Sequence, residues 1–308
     1  MGWYILRRVA QMIPVFIGAT LLVYAMVFLL PGDPVTAMFG EKPVNEGVAE
    51  QIRSQYNLDK PFLVQYLLYL KGVFGGDLGL DFSKQPVIAT LMRAYPTTVK
   101  LALMAIVIET VVGVVFGVIA GLRKGGWFDS TALVISMLLI AVPTFVMGRV
   151  LQVLGNKWSW LPPTTASLEP TFNELLLPAA VLAGVSIAYV MRLTRTSMAE
   201  NATADYVRTA RAKGLSNFRV NQRHILRNSL IPVVTFLGTD LGFLMGGAIV
   251  TETIFNVKGV GWNLYMGILK GHAPTVVSLV TVLVLVFIVA NLIVDLLYAL
   301  IDPRIRLA

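Results

Sequence analysis

Three ionisable residues stand inside stretches that are otherwise apolar: Glu109, Arg149 and Asp240. A charge at the middle of a bilayer costs roughly 2.5–3.5 kcal/mol on insertion scales, so such a side chain faces a helix bundle, pairs with a neighbour or lines a path for a polar solute. Asp240 falls between Gly238 and Gly242 in a four-spaced stripe that continues to Gly246. A stripe of that kind lets another backbone come close. Two readings stand for Asp240: a carboxylate on a translocation path, able to meet a cationic amino terminus, or a buried carboxylate bonded to a neighbouring helix. Glu109 has the same two readings. Arg149 lies in the outer third of its stretch, where it can snorkel to the headgroups or bind a carboxylate at an outer gate.

The densest charge is elsewhere. Residues 201–228 read NATADYVRTARAKGLSNFRVNQRHILRN, with Arg208, Arg211, Lys213, Arg219, Arg223 and Arg227 against a single acid, Asp205. Within them Asp205 to Leu215 (Asp205, Tyr206, Val207, Arg208, Thr209, Ala210, Arg211, Ala212, Lys213, Gly214, Leu215) is predicted as a short helix. Asp205 in the first turn suits the positive end of the helix dipole. Lys213 falls in the last turn and Gly214 is a natural stop. Ala210 and Gly214, four apart, leave one face open to close approach. A short capped helix between two apolar segments suits docking into a soluble partner; the alternative is a solvated loop.

Other chemistries find little support. The chain has no cysteine, which excludes disulfides, thiolate nucleophiles and Cys metal sites. His224 and His272 fall in different loops, so no metal site is expected. No glycine-rich phosphate loop ending in Gly-Lys-Ser/Thr occurs. Gly184-Val185-Ser186-Ile187-Ala188 lacks the second glycine of a nucleophile elbow, and His-Glu-x-x-His is absent.

The elements that must position these residues are membrane spans. Of 308 residues, 56% are hydrophobic and 14% charged, about half the charge of a soluble domain. The net charge of +8 raises nucleic acid as a partner, but the basic residues cluster beside apolar runs, as topology signals do. The expected fold is an all-α polytopic membrane protein with six spans: Val9–Leu30, Thr97–Ala120, Thr131–Leu154 kinked at Pro143, Leu175–Met191, Ser229–Val250 and Thr275–Ile301. Arg7-Arg8, Arg123-Lys124, Arg192, Arg195 and the 201–228 island place both termini and the island in the cytoplasm. The sequon Asn201-Ala202-Thr203 is discounted on that ground. The first span reads as an uncleaved anchor. Pro31–Pro96 is external, with an amphipathic helix over Glu46–Tyr56 and an apolar helix over Pro61–Phe74 that lies at the membrane surface or packs on the spans. Asp295 is expected to pair with Arg192 or Arg195. This gives an N-terminal part, 1–96, and a transmembrane part, 97–308, containing a cytoplasmic loop over 196–228.

The sequence resembles the inner-membrane permease subunits of ABC transporters that import di- and oligopeptides. The resemblance rests on Asp205-Tyr206, Arg208-Thr209-Ala210-Arg211-Ala212-Lys213-Gly214, His224, Leu226-Arg227-Asn228 and Leu230-Ile231-Pro232, which look like that family's EAA-type loop. Further matches are Leu30-Pro31-Gly32-Asp33-Pro34, Thr251-Glu252-Thr253-Ile254-Phe255, and Asn291 to Tyr298 followed by Asp302-Pro303-Arg304-Ile305-Arg306. The chain departs from the pattern at Arg227, where generic members carry proline, and at Lys258-Gly259-Val260-Gly261, where Pro-Gly-Leu-Gly is usual. The resemblance implies a type I importer permease that is no enzyme and binds no cofactor itself. It implies Asp205–Leu215 as a coupling helix docked into an ATPase. Implied partners are a second homologous permease, two ATP-binding cassette subunits or one ATPase homodimer using ATP and Mg, and an external solute-binding protein. Nickel chelates, glutathione and haem are compatible alternatives to peptides. An ion-coupled carrier using Glu109 and Asp240 is the lower alternative, since no pair of similar halves is visible.

Overall fold

A computed structural model describes residues 2–29, 33–39, 45–81, 83–245 and 248–301. In chain order they form α1 (Gly2–Phe28), α2 (Pro34–Phe39), α3 (Glu46–Gln55), α4 (Phe62–Phe74), α5 (Val87–Leu122), α6 (Trp127–Ala141), α7 (Thr144–Lys157), α8 (Phe172–Asn201), α9 (Asp205–Ala212) and α10 (Asn217–Val220). A π-helical turn (Asn221–Leu226) follows, then α11 (Arg227–Met245), α12 (Ile249–Ile254), α13 (Val260–Leu269) and α14 (Ala273–Ile301). The described residues contain no strand, only an isolated bridge between Leu80 and Pro86. The chain is thus all-α and polytopic. Gly246 of the glycine stripe, Leu30-Pro31-Gly32 and Asp302 to Arg306 lie outside the described residues.

Among the described residues, five helical stretches are long and apolar enough to cross a membrane: Ile5–Phe28, Val87–Leu122, Phe172–Asn201, Asn217–Met245 and Ala273–Leu296. The third expected span departs from expectation. In place of one kinked helix over Thr131–Leu154, α6 and α7 meet at 102°. The cause is local. A residue before proline is pushed out of the helical region, and Val142 is extended (φ −82°, ψ 121°) while Pro143 (ψ 140°) opens α7 as its N-cap. A second departure is that α5 starts at Val87, not Thr97, and carries Pro96 within it. Val87, Leu91 and Ala94 form an apolar face buried with Val260, Leu264, Leu279 and Leu283, so packing sustains the helix upstream of the proline.

The chain divides into two compact units. The first comprises Met1–Thr98, Met245–Thr253 and Lys258–Ala308. Here α1 packs along α14, and Arg8 pairs with Asp295 at 3.1 Å. The expected partners of Asp295, Arg192 and Arg195, are therefore wrong: Arg195 is engaged elsewhere and Arg8 holds the carboxylate. Helix α3 falls where its amphipathic pattern predicts. Helix α4 is a packed helix: Tyr66 donates to the Ile17 carbonyl at 3.0 Å, Tyr69 donates to Thr281 at 2.7 Å, and both rings pack against Tyr24.

The second unit comprises Val99–Leu244 and Ile254–Val257. Its central helix is α8, which opens on a capping box: Thr171 accepts from the Glu174 amide and the Glu174 carboxylate accepts from the Thr171 amide. Within this unit Gly113, Gly117 and Gly121 of α5 lie against Val190, Thr194 and Met198 of α8. A Cβ on Gly117 would fall 2.6 Å from Thr194 Cβ and 2.7 Å from the Met191 carbonyl oxygen, so only glycine permits this crossing. On another side of α8, Arg195 makes a two-pronged bond to Asp129 of α6 (2.8 and 2.7 Å), which also accepts from the Gly125 amide at 2.9 Å.

Candidate functional site

The basic island folds as a small module rather than a loose loop. Helix α9 spans Asp205–Ala212, with Asp205 in its first turn and Ala204 as an N-cap that offers no side-chain bond. Lys213 is the C-cap, Gly214 takes φ +75°, and two bonds close the end: Gly214 N–H to Arg211 O at 2.9 Å and Leu215 N–H to Ala210 O at 3.3 Å. This pairing is a Schellman motif, which needs the left-handed residue that glycine supplies. Val207 and Ala210 are buried with Met198, Val220 and Ile225, and Leu215 packs on the same cluster. The expectation that Ala210 and Gly214 share one open face is thereby corrected. Ala210 faces inward, while Gly214 is exposed with nothing within 4 Å of an added Cβ.

The outward face consists of Asp205, Tyr206, Arg208, Thr209, Arg211, Ala212 and Lys213. Arg208 lies 3.5 Å from Asp205, one helical turn away. Asn201 braces the base of the module: its amide donates to the Ser197 carbonyl and to Ser229 Oγ, and its oxygen accepts from Tyr206. Phe218, which the sequence reading passed over, is 75% exposed beside the module.

Glu109 and Asp240 are brought together, with Ser186 beside them, on α5, α11 and α8 of the second unit. Glu109 is fully buried, and among the described residues neither of its oxygens has a hydrogen bond of good geometry; Asp240 Oδ2 is likewise buried without one. Of the glycines beside Asp240, Gly242 is buried and Gly238 half-buried. Arg149 belongs to a different group. It is exposed and donates to Gln152 at 2.7 Å, and Gln152 in turn donates to the Ile254 carbonyl at 2.9 Å.

The residue that sequence reasoning missed is Glu252, quoted above only as part of a motif. It is fully buried in the first unit. Its carboxylate accepts from Thr98 Oγ1 at 2.8 Å, the Trp262 amide at 2.9 Å and the Gly261 amide. Thr98 Oγ1 also accepts from the Val260 amide at 2.9 Å. A Cβ at Gly259 would land on the carboxylate, which gives the glycines of Lys258-Gly259-Val260-Gly261 a physical reason. Burial pushes the Glu252 carboxyl above its usual range, opposed by these three donors. Lys258 stacks on the Trp262 ring at 3.6 Å.

Helices of membrane length define a multi-pass membrane protein, and helix α9 carries a charged outward face. The chain belongs to the family of binding-protein-dependent transport system inner membrane components, whose model matches residues 113–307, while the N-terminal model of the same systems matches residues 1–102. It is 37% identical to the dipeptide transport system permease protein DppB of Escherichia coli K12, over 98% of both chains. It is 36% identical to the di/tripeptide transport system permease protein DppB of Pseudomonas aeruginosa, again over 98% of both. The DppB protein of Alkalihalophilus pseudofirmus is 32% identical over 98% of this chain and 99% of its own. The resemblance read from the motifs is borne out. The chain is a permease component, multi-pass in the bacterial inner membrane, of a transport system that includes a solute-binding protein.

Proposed function

We propose that this chain is one of two homologous permease subunits that form the translocation path of an ATP-driven importer for di- and oligopeptides. An external solute-binding protein delivers the peptide, and two ATPase subunits, or one ATPase homodimer, supply the energy with ATP and Mg. The 201–228 module lies in the cytoplasm and Asp205–Leu215 is the coupling helix. One observation carries the docking role. Val207 and Ala210 anchor α9 to the chain's own helices, while its charged face, Tyr206 included, is left outward. A helix fixed on one side and free on the other passes force from an ATPase into α8 and the turn before α11. ATP binding closes the ATPase pair, the helix moves with it, and the path opens alternately to each side. The peptide substrate is supported by the names of the relatives; nickel chelates, glutathione and haem stay compatible with the same architecture.

The adjacency of Glu109 and Asp240 favours a narrower role as well. In that role the half-buried Asp240 faces the peptide amino terminus on the path, with the fully buried Glu109 behind it. An ion-coupled carrier would use the same pair as proton carriers, but then the outward face of α9 would have no task.

The test is R208E/R211E in cells co-expressing the partner subunits. The chain reaches the membrane at normal levels, the ATPase that co-purifies with it falls about tenfold, an effect of ~1.4 kcal/mol, and peptide uptake is lost. Wild-type ATPase recovery with normal uptake sinks the docking role.

A further inference from the structure

We propose that Arg219, Arg223 and Arg227 form a binding site for the headgroup of an anionic phospholipid. The three lie four apart where the polar module gives way to the apolar run Leu230-Ile231-Pro232-Val233-Val234 of α11. Arg219 belongs to α10, Arg223 to the π-helical turn and Arg227 opens α11. In a regular α-helix a four-residue step overshoots the turn of about 3.6 residues, so a four-spaced row winds away around the axis. A π turn closes from i to i+5 and holds more residues, which rotates the row back. The three guanidinium groups thus line one groove of about 550 Å³, together with Gln222, Leu226 and Leu230.

All three arginines are exposed, and among the described residues none of them makes an ion pair. The only acid of 201–228, Asp205, lies beside Arg208. The groove therefore offers positive charge with no internal counter-ion. Guanidinium forks match phosphate oxygens, and basic pockets beside membrane helices take anionic headgroups. Leu226 and Leu230 supply the apolar edge that the first methylenes of a lipid chain require. An acidic protein surface would satisfy the arginines but not these leucines. The inference rests on 201–228 lying at the membrane surface, as in the reading above, and is independent of ATPase docking.

The full-length chain, purified with its co-expressed partner subunits, is reconstituted in nanodiscs of phosphatidylcholine mixed with phosphatidylglycerol. Retained lipid is then counted by native mass spectrometry. Wild type keeps phosphatidylglycerol in preference to phosphatidylcholine. Each Arg→Gln change lowers that affinity about fivefold, the effect of ~1 kcal/mol per charge at an anionic surface. R219K/R223K/R227K keeps most of the preference, which separates lost charge from lost folding. Equal retention of both lipids by wild type overturns the proposal, as does wild-type phosphatidylglycerol binding by R219Q/R223Q/R227Q. If that variant loses the ATPase in phosphatidylcholine alone while its lipid binding is unchanged, the groove belongs to the ATPase. Failure of wild type to co-purify with any ATPase would sink the coupling role and leave the lipid result standing.

Discussion

Glu252 and Glu109 are both glutamates with no solvent exposure, yet their surroundings are opposite. Glu252 is met by three donors, from Thr98 and the Trp262 and Gly261 amides. Glu109 is met by another carboxyl, that of Asp240, and among the described residues has no well-formed hydrogen bond. A buried polar group with all its partners stabilises one arrangement of the chain; one without them costs free energy that the rest of the fold must offset. The contrast separates two kinds of buried acid. Glu252 ties the start of α13 to α12 and to the upstream part of α5, all within one unit, and its job is architecture. Glu109 lacks a comparable set of donors, so its expected contribution to the stability of its unit is smaller.

The largest expected effect is at the satisfied site. Replacing Glu252 with Ala leaves the Thr98 hydroxyl and two backbone amides buried without an acceptor. At about 1–3 kcal/mol for each orphaned group, the loss is ~3 kcal/mol or more, read as a lower thermal midpoint of the detergent-solubilised protein and less protein in the membrane. A midpoint within experimental error of wild type would remove the architectural role. Substituting Gln keeps one acceptor oxygen and should cost less than Ala.

A half-exposed carboxylate calibrates the comparison. Asp33 pairs with Arg53 at 2.5 Å, with side chains 33% and 42% exposed. Such pairs contribute at most about 1 kcal/mol. Burial raises the Asp33 pKa, but bonds from Arg53, Thr36 and the Val35 amide outweigh it and hold the group below its usual 3.8. A lowered folded-state pKa means the pair's contribution is present above the unfolded value and is lost as pH falls through the folded one. D33N should therefore trail wild type by at most about 1 kcal/mol at neutral pH, and the gap should close on acidification below 3.8. A gap that persists unchanged in acid would mean that the carboxylate's charge plays no part.

How far these sites were legible depends on how far apart their parts lie in the chain. Helix α9 was readable because its signals are local: Asp205, Lys213 and Gly214 mark both ends within one short stretch. The apolar runs likewise gave the spans, and the period of Glu46–Tyr56 gave α3. The partner of Glu252, Thr98, lies 154 residues away, and that of Asp295, Arg8, lies 287 away; no pattern in one sequence joins them. Asp129 and Arg195, 66 apart, escaped for the same reason. The Pro143 break was half legible, because proline announces a disturbance without saying whether the helix bends or ends. Glycine spacing was equally visible at Gly113, Gly117 and Gly121 and at Gly238 and Gly242. Only the facing side chains of α8 reveal a tight crossing at the first set.

The smallest expected effect on stability is at the unsatisfied site, and it breaks the comparison most cleanly if it fails. Glu109→Gln keeps the shape and removes one of two facing carboxyls. Among the described residues no well-formed hydrogen bond reaches the Glu109 oxygens, so the change orphans no well-bonded donor, and relief of the carboxyl pair makes it neutral or slightly stabilising. The thermal midpoint should equal or exceed that of wild type, while E252Q falls below it. Uptake should respond in the other direction. With Glu109 and Asp240 on the path, E109Q lowers peptide uptake at equal expression and E109Q/D240N lowers it further, with ATPase recovery unchanged. If E109Q destabilises the protein as much as E252Q does, Glu109 has bonds that matter and the two acids are of one kind. If stability and uptake both match wild type, the pair has no part in transport and its burial has no functional reason.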